Sequence, residues 1–203
     1  MIYNFKEKLK NYKAYINGHE NMKKASVLIP IVKKDNKHYI LFEVRSKNLK
    51  TQPNEICFPG GKIELGELPI DTAIRETCEE LGTTYNNIDI ICELDLLVTP
   101  SNLIIHPFLG YINDIDNFSI NTSEVDHIFL VPISYLLESV PNIYNSDVKT
   151  IPSSDFPFDK IPNKENYKFD TGNYSVLFYS YKNYTIWGIT AKILENFLSI
   201  ISN

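Results

Sequence analysis

Residues 58–83 read FPGGKIELGELPIDTAIRETCEELGT, and the whole chain is organised around this stretch. Gly60 and Gly61 make a turn, after which Ile70, Ile74, Thr77 and Leu81 recur at the spacing of one helix face. Pro69 suits a first helical turn, Asp71 the positive end of the helix dipole, and Gly82 a C-terminal stop. A second face carries charge. Glu76, Glu79 and Glu80 stand at i, i+3 and i+4, so their carboxylates converge on one side of the helix. Clustered carboxylates repel one another, and the arrangement is tolerable where cations sit among them; oxygen-only ligands favour hard ions such as Mg²⁺ or Mn²⁺. The stretch therefore predicts a helix that packs with one face and ligates a metal with another.

The remainder of the sequence bounds what surrounds that helix. A chain of 203 residues, 43% hydrophobic and 12% aromatic, can bury a full core and is expected to form one domain over 1–203. A net charge of −5, with no Lys/Arg cluster flanked by aromatics, argues against nucleic acid or a membrane surface as the partner and leaves small anionic substrates open, because a bound metal changes the local sign. No apolar run reaches the length of a membrane span, and Lys6, Glu7, Lys8 and Lys10 leave no apolar signal-peptide core, so the expected compartment is the cytoplasm. Cys57, Cys78 and Cys92 are odd in number and lack a CxxC, which predicts reduced packing residues. His19, His38, His106 and His127 show no metal-ligand spacing and read as surface or packing histidines.

Taken in order, residues 4–16 place Phe5, Leu9, Tyr12 and Ile16 at helical spacing, predicting an amphipathic helix that packs on the domain's flank or offers a homodimer or partner surface. Ala25–Lys33 and His38–Arg45 read as a hairpin, and Glu55–Phe58 as a short strand entering the glycine turn. Beyond the helix, Ile88–Val98, Leu103–Ile112 and Val125–Val131 read as strands and Ile133–Ser139 as a helical turn. Residues 141–173, with Pro141, Pro152, Pro157 and Pro162, predict a long irregular loop that contacts substrate or merely covers the surface. Tyr174–Ser180 and Tyr184–Trp187 predict a last hairpin, and Thr190–Ile201 a closing helix. The pattern is that of an α/β fold, a mixed sheet covered by helices on both faces.

The spacing of Gly61, five residues, Glu67, seven residues, Arg75-Glu76, then Glu79-Glu80, Leu81 and Gly82 resembles the Nudix box, the signature of hydrolases that cleave a nucleoside diphosphate linked to another group. Thr77 and Thr83 stand where that family usually has bulky aliphatics. The resemblance implies an α/β/α sandwich. Upstream, Leu41, Arg45, Ser46 and the run Phe58-Pro59-Gly60-Gly61 match in register the signature of the coenzyme A diphosphatases within that superfamily, whereas Phe42, Glu43, Lys50 and Asn54 depart from it.

The resemblance implies hydrolysis of coenzyme A or acyl-coenzyme A to 3′,5′-ADP and 4′-phosphopantetheine. Expected metal ligands are Glu76 and Glu80, with Glu79 adding a carboxylate and a backbone carbonyl near Gly60 approaching the cluster. Glu67 and Arg75 are expected to pair and orient the helix glutamates; Arg45, Ser46, Lys50 and Phe58 are the expected substrate contacts, and Glu76 or Glu124 the general base. Two other readings stand beside this one. They are a Nudix hydrolase for another substrate, such as ADP-ribose, and a non-catalytic nucleotide-binding module, which has no need of the whole glutamate cluster.

Overall fold

Alternation along two strands builds the centre of the molecule, which a computed structural model describes over residues 4–202. In β1 (Lys23–Lys34) and β2 (Lys37–Arg45), Leu28, Val32 and Leu41 point to one core, while Ile29, Ile31, Ile40 and Phe42 point to the other. Both faces of the sheet are buried, so each strand reads as a nearly continuous apolar run. The short strands β3 (Ile56–Cys57) and β4 (Gly60–Lys62) lead into α2 (Pro69–Leu81), after α1 (Phe5–Leu9) at the start of the chain. Then come β5 (Ile88–Glu93), β6 (Leu97–Thr99), β7 (Leu103–Ile112), β8 (Val125–Pro132) and α3 (Ile133–Glu138). The chain ends through β9 (Asn142–Lys149), β10 (Thr171–Tyr181), β11 (Tyr184–Trp187) and α4 (Gly188–Ser202).

The large sheet runs β3-β2-β1-β7-β5, with β4 also on β1, β6 on β7 and β8 on β2. It is mixed, because β1 and β7 pair in parallel and the other pairs are antiparallel. Helix α2 covers one face with Ala73, Ile74 and Leu81. Helix α4 covers the other with Ala191, Leu194 and Phe197, joined by Leu177 and Tyr179 of a second, three-stranded sheet β11-β10-β9. The expected α/β sandwich is thus the observed one.

Three boundaries differ from the sequence expectation. The stretch 141–173 is not irregular throughout: Asn142–Lys149 is a strand paired with β10 from Asn142↔Phe178 to Lys149↔Thr171. All eight of its residues are exposed, so it is an edge held by backbone pairing and carries no apolar signature. The predicted helix 4–16 is a helix only over Phe5–Leu9, capped by the Asn4 side chain, and it buries no residue. Phe5, Leu9 and Tyr12 stay exposed, and a helix of about one turn without packing is marginal, which is why the amphipathic spacing is not realised. Finally, Ile88–Val98 is two strands, β5 and β6, both on β7.

Phe42 anchors the α4-side core. It is fully buried, with ring centroids 5.0 Å from Phe58 and 5.5 Å from Phe129. Phe42→Ala is expected to cost about 3–5 kcal/mol in urea unfolding, and Phe42→Leu distinctly less, since the cavity left is smaller.

Candidate active site

Glycine backbone and carboxylates meet where β4 passes α2. Strand β4 lies on β1 through Ser26↔Gly61 and Val27↔Gly60, and the Gly60 N–H donates to Glu80 Oε2 at 2.9 Å. At Gly61 an added Cβ would fall into the Glu76 carboxylate and push it from this place, so the glycine leaves room for Glu76 to sit against β4. The opposite wall is a turn tied down at two points. Asn121 N–H donates to the Glu80 carbonyl (3.0 Å), and Ser46 N–H donates to the Glu124 carbonyl (2.7 Å), which brings half-buried Glu124 to the cluster. From beneath comes Glu43 of β2, which the strand's alternation places on the α2 face beside Leu41 and which is 1% exposed.

Arg75 organises the outer side. Its Nε and Nη2 donate to the two oxygens of Glu67 at 2.8 and 3.1 Å, while Nη1 reaches Glu76 Oε1 at 2.9 Å and Glu79 Oε2 at 3.4 Å. The bonds from Arg75, then one from Thr72, hold the Glu67 carboxyl down to about 2. The expected Glu67–Arg75 pair is therefore present, and it fixes the side of the helix from which Glu76 emerges.

The inner carboxyls behave in the opposite way. Burial raises Glu80 most, then the charges of Glu43, Glu76 and Glu124, against the Gly60 N–H, which lowers it. Glu43 is raised by burial and by Glu124 and Glu76, against a hydrogen bond from Cys57 and the charge of Arg45. Glu76 is raised by burial and by Glu79 and Glu124, opposed by Arg75.

Of the residues expected from sequence, Glu76, Glu80, Glu124, Glu67 and Arg75 converge, with Glu79 on the exposed rim. Gly60 meets the cluster through its N–H, where a carbonyl was expected. Ser46, an expected substrate contact, is 3% exposed; its hydroxyl accepts the Asn48 N–H at 3.5 Å and its own N–H holds the Glu124 turn, so in this structure it shapes the loop. Lys50 is exposed and does not line the adjoining cavity, because the 46–54 loop carries it outward. Arg45 and Phe58 do line that cavity. Sequence reasoning passed over Glu43; the available signal was an acidic residue at a core-facing position in the strand LFEVR.

Among the described residues no three His, Cys, Asp or Glu side chains stand close enough to enclose an ion, since Arg75 draws Glu76 and the Gly60 N–H holds Glu80. The donor set nevertheless fits a hard cation. All its members are carboxylates, their mutual repulsion is what an ion among them would relieve, and Glu43 Oε2 is buried with no hydrogen-bond partner.

Beside the cluster lies a cavity of about 470 Å³ whose lining includes Arg45, Phe58 and Gly60 together with Tyr174, Trp187 and Thr190. The Thr190 hydroxyl donates to the Ile56 carbonyl at 3.1 Å and locks the start of α4 to β3. Arg45 Nε is buried and has no hydrogen-bond partner among the described residues, leaving a donor for an anion.

A sheet between helical layers, with a glycine turn feeding a helix of glutamates, is a fold and site for hydrolysis of diphosphates. Comparison with known proteins agrees: the profile described as NUDIX domain matches residues 22–165, and the chain belongs to the Nudix hydrolases as a Nudix-type diphosphatase. The mouse (Mus musculus) protein named peroxisomal coenzyme A diphosphatase NUDT7 is 32% identical over 181 residues, 87% of this chain and 69% of that protein. The human (Homo sapiens) protein named mitochondrial coenzyme A diphosphatase NUDT8 is 25% identical over 185 residues, 88% of this chain and 69% of that protein. The Caenorhabditis elegans protein named Nudix hydrolase 3 is 29% identical over 188 residues, covering 87% and 72%.

A pH dependence follows from Glu80. Its folded carboxyl is raised above its ordinary value, so without a cation the native state binds the extra proton and stability falls as pH rises above about 4.5. In cation-free melts, Glu80→Gln is expected to match the wild type near pH 4.5 and to exceed it by about 1–3 kcal/mol at pH 7. A wild-type stability that is flat across this range would contradict the raised carboxyl.

Proposed function

We propose that residues 1–203 form one Nudix hydrolase domain that cleaves the diphosphate of coenzyme A or an acyl-coenzyme A to 3′,5′-ADP and 4′-phosphopantetheine. The observation that carries this reading is the cavity. Its lining joins Gly60, whose N–H holds Glu80, and Arg45 to the aromatic rings of Phe58, Tyr174 and Trp187, which suits a nucleotide diphosphate that carries an uncharged arm. The in-register match of Leu41, Arg45, Ser46 and Phe58–Gly61, and the names of the mouse and human relatives, support the same substrate.

Nudix hydrolases generally need divalent metal ions, and we assign Mg²⁺ or Mn²⁺ to Glu76 and Glu80 with Glu79 at the rim. The ion, when bound, neutralises the diphosphate and lowers the pKa of a water. The chain's own groups do the rest. Gly60 and Gly61 hold Glu80 and Glu76 against the turn, Arg75 fixes the helix face, and Arg45 donates to a phosphate oxygen. Glu124 takes the proton of the attacking water, because it reaches the cluster without an arginine partner, whereas Glu76 is bound by Arg75. The cytoplasmic expectation belongs to the same proposal and is read by imaging the full chain, since the relatives' names place them in peroxisomes and mitochondria. Among the described residues no helix is long and apolar enough to cross a membrane.

Mass spectrometry of products from coenzyme A with Mg²⁺ or Mn²⁺ is expected to show 3′,5′-ADP and 4′-phosphopantetheine. ADP-ribose, the other diphosphate named above, is the competitor to run beside it. A higher kcat/KM for ADP-ribose than for coenzyme A would overturn the substrate. Glu76→Gln is expected to lower kcat by at least about 100-fold with the fold retained, as several kcal/mol of charge stabilisation are lost. Arg45→Gln is expected to lower kcat/KM for coenzyme A by about 10- to 100-fold, the worth of one charged hydrogen bond.

A further inference from the structure

Glu43 is an acid in a place that neither packing nor pairing explains. Its neighbours along β2, Phe42 and Val44, face the α4-side core, so Glu43 points at α2 from a strand whose cross-partners are Cys57 on β3 and Ile128 on β8. It is 1% exposed. One oxygen is held, Oε1 accepting from the Cys57 thiol at 3.1 Å, and the other, Oε2, is buried with no hydrogen-bond partner. Among the described residues no lysine or arginine comes within ion-pair distance of it. The charged groups that act on it are Arg45 on its own strand and the carboxylates of Glu124 and Glu76; it acts in turn on Glu80. A buried carboxylate with a free oxygen, set among other carboxylates, is costly unless a cation completes it.

We propose that Glu43 is a further ligand of the divalent-cation site, presenting Oε2 to the ion from the sheet side while Glu76 and Glu80 present theirs from the helix. This rests on the metal assignment made above. The Cys57 thiol then acts as a positioning group, because by occupying Oε1 it fixes the side-chain rotamer that leaves Oε2 toward α2. The site draws on both layers that the glycine turn brings together, with β2 and α2 each giving oxygen ligands suited to a hard ion. A divalent cation held on its buried side by a strand carboxylate binds more tightly than one held by the helix alone.

The test is Mn²⁺ binding to the full chain, by calorimetry and by loss of the free-ion electron paramagnetic resonance signal, with no substrate present. Glu43→Gln is expected to weaken Mn²⁺ binding by about 10- to 100-fold, while the cation-free melting temperature stays at or above that of the wild type. Glu80→Gln serves as the reference. If Glu80→Gln weakens binding and Glu43→Gln keeps the wild-type Kd and stoichiometry, the role of Glu43 is overturned and the helix site stands. If Glu80→Gln also leaves Mn²⁺ binding unchanged, the metal assignment fails and Glu43 fails with it. Should Gln at this buried position unfold the chain by circular dichroism, Glu43→Ala is the second variant, with the same loss of affinity expected and a wild-type Kd overturning the proposal.

Discussion

The Gly60 N–H bond to Glu80, and the bare Cα of Gly61 against Glu76, are the contacts on which the site depends. They join β4 to α2 with no side chain between, and β4 is itself bonded to β1, so the glutamates are referenced to the centre of the sheet. A helix carrying three acids would otherwise turn them to water. Here the sheet pulls two of them inward, and Arg75 settles which way the third rim faces by bonding Glu67, Glu76 and Glu79 together. The turn at 119–124, hung from the Glu80 carbonyl and from Ser46, closes the remaining side. Precision in this site comes from backbone groups, which have few ways to be elsewhere.

That geometry sets stability against function. Burial and like charge raise Glu80, Glu43 and Glu76 together, so without a cation the chain holds a buried acidic cluster that opposes its own ionisation. The surrounding core is what makes this tolerable. Leu41, Ala73, Ile74 and Leu81 are buried on the same face, and the α4 layer adds an independent core with Phe42 and Phe197. The outer Glu67–Arg75 pair works the other way, a carboxylate held ionised down to about 2 by its guanidinium. An acid just before the helix is thus kept charged by Arg75, while Glu76 and Glu80 on the helix itself are pressed towards neutrality.

Much of this was legible in sequence, for physical reasons that differ by element. β1, β2, β7 and α2 carry strong apolar periodicity because their side chains decide their burial, and their positions were read to within a few residues. β9 was not legible: the eight residues NIYNSDVK are all exposed and lie on a sheet edge, so their side chains show no alternation between a buried and a solvent face. α1 failed in the other direction, since Phe5, Leu9 and Tyr12 have the spacing of a packed helix and yet stay exposed, on a helix that buries none of its residues. In the site, Glu76, Glu80 and the Glu67–Arg75 pair followed from offsets along one helix. The placement of Ser46 and Lys50, one buried and one exposed, is not legible in sequence because it is set by the loop after the irregular register at Val44/Arg45. Glu43 was seen only as a departure, because alternation reveals the face a residue takes and says nothing of what waits across from it.

Under the proposed function, the parts of the chain that would select a substrate lie outside the 58–83 stretch. The cavity lining also takes in Tyr174, Trp187 and the first turn of α4, elements of the second sheet and its following helix. The Thr190 hydroxyl bonds the Ile56 carbonyl, and Ile186, Ala191 and Leu194 share a core with Phe58, so the last helix is tied to the strand that enters the glycine turn. Phe178 stacks on Trp187 with centroids 5.7 Å apart, and Tyr144 of β9 packs edge-on against Phe178, so even the exposed strand braces the cavity wall from behind. Under the proposed function, α2 and β4 would position the reacting bond, and β10, β11 and α4 would meet the group attached to it. Changes in the second set can alter which molecule enters without touching the glutamates, which is how one cleavage chemistry serves many diphosphates.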